Sequence, residues 1–258
     1  MSRMAGALDI LRNGAGPAIS AWLSSPDPFT QEAFLSAGFD LVTFDMQHGM
    51  LDKGDVRDGI TRAYAFAKPA LVRVPVGAYD HVSWALDMGA SGIIMPMIET
   101  ADEARAFVKH AKYPPLGLRS YGPIRAAPLA RGGDTPAYVA AANAETFAFG
   151  MIETGRAMDA LDEIAGIEGL DGLFVGPADL SIALSDDARV DLDGPRLEAA
   201  MQRIAEACRK NGRIAACYAP TPAYARRFAD MGFSCVCAGL DVTIIAEGAK
   251  RFAADLRR

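Results

Sequence analysis

The chain lacks a long apolar run, a basic run, a CxxC pair and all but three histidines, and each lack removes a class of function. No apolar stretch reaches the length of a membrane span. The 26 basic residues are outnumbered by 32 acidic ones, for a net charge of −6. Without basic clusters, neither nucleic acid nor an anionic membrane is an expected partner. The N-terminal MSRMAGALDILRNG has no extended apolar core or cleavage site of a signal peptide, so a cytoplasmic protein is expected. The four cysteines, Cys208, Cys217, Cys235 and Cys237, are then expected to be reduced and packed. Cys235 and Cys237 alternate along one apparent strand and should share a face. No GxGxxG follows the first strand-like segment, which weighs against a dinucleotide fold.

What is present is a large apolar share, 51% against 22% charged, in 258 residues. Eight short apolar segments read as strands: 18–24, 40–46, 70–75, 92–99, 146–153, 172–177, 213–219 and 235–239. Amphipathic stretches separate them, including TQEAFLSAG, TADEARAFVKHAKY, TGRAMDALDEIAGIEG and PRLEAAMQRIAEACRKNG. Several open on Thr and close on Gly, as helix caps do. Apolar strands alternating with helices imply a parallel sheet covered on both faces. Eight repeats predict an α/β fold of the (β/α)8 TIM-barrel type, one domain over residues 1–258. The longest break, between strands four and five, is rich in Gly, Pro and Arg and reads as an active-site loop.

In such a barrel the chemistry lies at the C-terminal strand ends. Strand two ends in Asp45-Met46-Gln47-His48, strand three carries Arg73, strand five ends in Glu153, and strand six runs into Gly176-Pro177-Ala178-Asp179. Strands one and seven offer Trp22 and Tyr218. Glu153 and Asp179 on adjacent strand ends would repel unless a cation or a proton joined them. A hard divalent cation (Mg²⁺, Mn²⁺ or Co²⁺) suits them, with a 2-oxo acid filling further positions. The plainer alternative is a helix cap and a turn residue. Arg73, among valines, needs a carboxylate: either Asp45 or that of a substrate. His48 beside a bound oxo acid could move a proton, with Asp45 or Asp87 orienting its ring; the alternative is a satisfied strand-end histidine. None of the six lysines falls at a C-terminal strand end, which disfavours Schiff-base chemistry.

FDMQHG, VRVP, DMGASGIIMPMIETADEA, KYPPLGLRS, MIET and DGLFVGPADLS together resemble the HpcH/HpaI aldolases, metal-dependent class II pyruvate aldolases. The resemblance runs in order over nearly the whole chain. It implies a (β/α)8 barrel whose last helix packs on a neighbouring subunit, in a hexamer. It further implies that Glu153 and Asp179 bind the metal, that Arg73 holds the pyruvyl oxygens, and that His48 is the acid/base with Asp45 close by. Asp87 would reach a neighbour's histidine. Backbone amides around Gly176, Pro177 and Ala178 would help seat the substrate carboxylate, and Trp22 and Tyr218 would line the aldehyde side. The expected reaction is aldol cleavage of a 4-hydroxy-2-oxo acid to pyruvate and an aldehyde. A citrate-lyase-like CoA-ester lyase, with Arg119, Arg125 and Arg131 near a long anionic cofactor, is one alternative. A metal- and oxo-acid-binding barrel without turnover is another. Gln47 stands where the family commonly has Glu. Its amide can donate a hydrogen bond to a donor with a C3 hydroxyl, which points to hydroxypyruvate as a second donor. An amide turned away from the ligand is the alternative.

Overall fold

The computed structural model describes residues 9–11 and 16–258. The expectation that no signal segment precedes the fold falls almost wholly outside the described residues. Eight parallel strands close a barrel in sequence order: β1 (Ala18–Leu23), β2 (Leu41–Asp45), β3 (Ala70–Arg73), β4 (Gly92–Met95), β5 (Phe147–Met151), β6 (Gly172–Val175), β7 (Ile214–Ala219) and β8 (Cys235–Leu240). All eight expected strands are present, most a residue or two shorter than read. They are apolar throughout because both faces are covered: outward side chains such as Val42, Phe44 and Val72 pack under the helices, while inward ones such as Leu41, Phe149 and Phe174 fill the barrel. Cys235 and Cys237 share the inner face, and all four cysteines are free and buried.

The helices used below are α1 (Pro28–Ser36), α2 (Lys53–Ala65), α3 (Tyr79–Met88), α4 (Ala101–Ala111), α5 (Ala126–Arg131), α6 (Thr135–Glu145), α7 (Gly155–Asp159), α8 (Leu161–Ala165), α9 (Pro177–Ala183), α10 (Pro195–Asn211), α11 (Pro222–Asp230) and α12 (Asp241–Asp255). α4 starts as its sequence predicts, with a capping box between Thr100 and Glu103. The segment read as one helix over 154–169 is instead two short ones, broken at Ala160.

One expectation is corrected. The long break between strands four and five contains α5 and α6, and it joins the end of α4 to the start of β5. A connection that follows a helix and precedes a strand lies at the N-terminal end of the barrel, opposite the catalytic strand ends. None of its residues lines the cavity described below.

Two local features set the geometry of the catalytic end. In the β2–β3 ladder Asp45 is the direct partner of Arg73, so their inward side chains are neighbours. In the β1–β8 ladder Ala21 faces Ala238 but Trp22 faces Leu240, so Gly239 is an extra residue. Gly239 has φ +74°, and a Cβ there would lie 3.0 Å from Phe39. The bulge therefore needs glycine, and it brings Leu240 rather than residue 239 to the inner face.

Candidate active site

A cavity of about 350 Å³ opens at the C-terminal ends of the strands, lined by Trp22, Asp45, His48, Arg73, Asp179 and Tyr218 among others. Asp45 organises one side of it. Its carboxylate accepts from Arg73 Nε (2.8 Å) and Nη2 (2.7 Å), from Trp22 Nε1 (3.3 Å), and from the backbone N–H of Gln47 (3.0 Å) and His48 (3.3 Å). Burial alone would raise the Asp45 pKa, but the Arg73 fork and the two backbone donors outweigh it and hold the carboxyl below its usual range. The Arg73 guanidinium also stacks 4.7 Å from the centre of the Trp22 ring. Among the described residues Nη1 has no hydrogen-bond acceptor. Of the two partners expected for Arg73, the in-chain carboxylate is present; the remaining edge still faces the cavity it lines.

His48 follows Asp45 closely because the carboxylate fixes its turn through the backbone. The imidazole itself is exposed at the cavity and enters no hydrogen bond with the described residues. Gln47 is half-buried in the same turn, its Oε1 has no partner among the described residues, and it does not line the cavity. Asp87 is not brought to His48 within one copy. It sits near the end of α3, toward the opposite barrel end, and its Oδ1 accepts from Arg119 Nη2 at 2.6 Å. Burial raises its pKa despite that arginine.

Glu153 and Asp179 form a different arrangement. Glu153 is buried, 3% exposed, and Asp179 is exposed on the first turn of α9. A Cβ on Gly176 would meet Glu153 Oε1 at 2.5 Å and Asp179 Oδ2 at 3.2 Å, so both carboxylates crowd the same glycine. Glu153 Oε2 accepts from the Met97 N–H at 3.1 Å. Met97 holds φ +56°, a left-handed conformation that a side-chain-bearing residue rarely adopts, in the turn after β4. Burial is the main cause that pushes the Glu153 pKa up to about 7, and the charge of Asp179 adds to it. Among the described residues no third His, Cys, Asp or Glu joins the pair. Two convergent carboxylates, one with its pKa raised to about 7, fit a hard divalent ion that takes its other ligands from water and substrate.

The rest of the lining is apolar or neutral: Met151, Phe174, Pro177, Ala178, Leu240 and Val242, with Ser24. Trp22 and Tyr218 meet edge to face with ring centres 5.4 Å apart. Burial raises the Tyr218 pKa, so its hydroxyl remains a donor. Sequence reading missed Leu240, because the Gly239 bulge reverses the alternation, and Val242, because it begins a helix. The glycine inside an apparent strand was the available signal. It also missed Asp241, fully buried, which accepts from the N–H groups of Ser24, Ser25 and Val242 and from Ser24 Oγ. Among the described residues no lysine lines the cavity; Lys112 is buried elsewhere against Asp171 at 2.6 Å.

The barrel, with acids, an arginine and a histidine gathered at one strand-end cavity, defines an enzyme of the TIM-barrel class. The model of the HpcH/HpaI aldolase/citrate lyase family matches residues 19–247, and the chain belongs to that family. It is similar to the hydroxypyruvate/pyruvate aldolase of Roseovarius nubinhibens, 33% identical over 245 residues that cover 93% of this chain and 92% of the relative. The 4-hydroxy-2-oxo-heptane-1,7-dioate aldolase of Salmonella typhimurium is 31% identical over 246 residues, covering 95% and 92%. Among solved structures, an HpcH/HpaI aldolase/citrate lyase family protein of Burkholderia cenocepacia J2315 superposes with a TM-score of 0.88 at 32% identity, over 98% of this chain and 99% of that one.

Proposed function

We propose that the chain catalyses reversible aldol cleavage of 4-hydroxy-2-oxo acids, releasing pyruvate or hydroxypyruvate and an aldehyde. The observation that carries this reading is the Asp45-fixed Arg73 in the cavity lining together with the convergent Glu153/Asp179 carboxylates, of which Asp179 lines the same cavity. Glu153 and Asp179 would hold a divalent metal (Mg²⁺, Mn²⁺ or Co²⁺). When bound, it supplies Lewis-acid polarisation of the keto oxygen and lowers the pKa of the adjacent C–H.

The chain's own groups do the rest. Arg73 offers Nη1 to the oxo-acid oxygens, where negative charge grows as the C3–C4 bond breaks. Asp45 keeps that guanidinium fixed, so it need not reorganise during the reaction. His48, exposed at the cavity, takes the proton of the C4 hydroxyl, directly or through water. The electron pair of the broken bond passes to the oxo-acid fragment, whose C3 is then protonated. The first turn of α9, over Gly176, Pro177 and Ala178, seats the substrate carboxylate, with Ala178 N–H as a donor and Pro177, which has none, fixing the turn. Trp22 and Tyr218 form the aldehyde side.

Gln47 lies outside the cavity lining with its Oε1 buried, which supports the alternative of an amide turned away from the ligand; hydroxypyruvate as a second donor is supported instead by the similarity to hydroxypyruvate/pyruvate aldolases. The contact expected from the sequence used the NH2 group as donor; the atom without a partner is the acceptor. Asp87 would act across a subunit boundary. α12 buries only Asp241 and leaves Ile244, Ile245 and Phe252 exposed, which supports a homo-oligomer, as a hexamer, with this helix on a neighbour. Among the described residues no helix is long and apolar enough to cross a membrane, which is compatible with a cytoplasmic enzyme.

Among the described residues the cavity lining has one basic side chain, Arg73, which gives the CoA-ester alternative no basic groove there. Arg119 is bound to Asp87, Arg125 to Thr61 and Arg131 to Glu145. The deciding assay is pyruvate release from a 4-hydroxy-2-oxo acid, with and without chelator, and with borohydride. Metal-restorable activity without trapped adduct supports the reading; chelator-resistant activity with a lysine adduct would overturn it.

A further inference from the structure

We infer that Arg119 is a positioning residue of the reaction: it holds Asp87 of its own copy in place for His48 of a neighbouring copy. This rests on the role across a subunit boundary proposed for Asp87, and it names the group that sets that carboxylate. Within one chain each of the two is half-finished. The His48 imidazole is exposed at the catalytic end and has no hydrogen-bond partner among the described residues. Asp87 lies near the close of α3, toward the opposite end. Its Oδ1 is bound to Arg119, and its Oδ2 has no donor among the described residues. The two ends of one barrel cannot meet, so a second copy must join them. Exposed apolar side chains accompany both: Met50 two residues after His48, and Leu118, Tyr121 and Ile124 on the loop that carries Arg119. Such patches mark surfaces that a partner covers.

The Arg119 side chain has no exposure, whereas that of Asp87 keeps 17%. Nη2 donates to Asp87 Oδ1 at 2.6 Å, while Nε and Nη1 are buried with no acceptor among the described residues. Burying two idle donors costs stability, which argues for a use beyond packing. Rings hold the guanidinium: its centre lies 4.6 Å from that of Tyr113 and 6.0 Å from that of Tyr138. Tyr113 and Tyr138 share a small separate core with Ala126, Ala127 and Ala142. The long insertion with α5 and α6 therefore builds the setting of Arg119. The same insertion closes on Asp87. The Arg125 N–H donates to its backbone carbonyl at 3.3 Å, and a Cβ on Gly122 would stand 3.3 Å from Oδ2. Burial raises the Asp87 pKa and Arg119 opposes it. Without the guanidinium the carboxyl keeps its proton longer and accepts more weakly from an imidazole N–H.

Mixed assemblies test this. Two differently tagged chains are co-expressed, and oligomers carrying both tags are assayed for aldol cleavage. Arg119→Met alone should lower kcat by at least about tenfold, with KM for the oxo acid within about twofold. Arg119→Lys, which can make one charged contact, should retain more kcat than Arg119→Met. The Asp87→Asn/Arg119→Met double variant should be no slower than Asp87→Asn, because one residue acts through the other. Mixed with His48→Ala, Arg119→Met should regain about a quarter of wild-type activity, the share of sites at which random assortment joins an intact His48 to an intact Asp87–Arg119. Asp87→Asn mixed with His48→Ala is the reference. Should Arg119→Met not assemble, Arg119→Gln takes its place; loss of assembly in both would overturn the inference in favour of a structural pin. Regained activity in the Asp87 mixture but not in the Arg119 mixture would also overturn it, as would near-normal kcat in Arg119→Met, and both results leave the role of Asp87 intact. If neither mixture regains activity, that role falls and the inference with it. Absence of cleavage by wild type would overturn the aldolase reading itself.

Discussion

The catalytic end of the barrel holds two acid arrangements, each with one buried carboxylate, that look alike in sequence and differ in physics. Asp45 faces a cation of its own chain, and five donors keep it ionised below the usual range. Glu153 faces another carboxylate, has one backbone donor, and rises to about 7. Burial costs the charged form in both places; what differs is whether the chain supplies the compensation. The first pair is complete and serves as a fixed scaffold. The second is left for something outside the chain to complete, and in this account that is the metal.

The largest effect should come from removing the incomplete pair. Glu153→Ala and Asp179→Ala should each lower aldol turnover by roughly a thousandfold, since a bound cation contributes several kcal/mol to the transition state. Steady-state assay at saturating Mn²⁺ measures it; losses below tenfold would dissolve the distinction between the two pairs.

The pairs should also titrate in opposite senses in the metal-stripped protein. Glu153 has a folded pKa above its unfolded value of 4.5, so its contribution to stability is fully present below that pH and is lost as pH rises through about 7. That loss is on the order of 3 kcal/mol. Asp45 has a depressed folded pKa, so its contribution is present above its unfolded value of 3.8 and is lost as pH falls through the folded pKa. Denaturant unfolding of chelated wild type and Glu153→Gln between pH 5 and 8 separates them: the variant should lack the decline.

Arg73→Lys keeps the charge of the complete pair but loses the planar fork. Each charge-assisted contact is worth about 1.5–3 kcal/mol, so kcat/KM should fall tenfold or more. Near-normal kinetics would make the fork a bystander.

A smaller effect sharpens how Glu153 is held. Met97→Gly keeps the N–H and suits φ +56°, so metal affinity should stay within about twofold. Met97→Val disfavours that backbone and should weaken metal binding by about two- to tenfold, the worth of one hydrogen bond.

All eight strands were legible because a strand buried on both faces must be apolar throughout, and strand order then follows chain order. The acids, Arg73 and His48 were legible because charged groups at the end of such strands need a reason. What sequence could not show was pairing. Only the ladder register puts Asp45 beside Arg73, and only the close approach at Gly176 explains a glycine there. The Gly239 bulge hid Leu240 by shifting alternation by one residue. The long Gly/Pro-rich break misled because its composition signals a loop but not the barrel end on which that loop lies.

The central claim is that Glu153 and Asp179 are a cation site that the chain leaves open. Calorimetric titration of metal-stripped protein with Mn²⁺ tests it directly, in wild type, Glu153→Gln and Asp179→Asn. The account predicts one site per chain in wild type, with affinity reduced at least a hundredfold in either variant. Undiminished Mn²⁺ binding in both variants, or no binding in wild type, would contradict it.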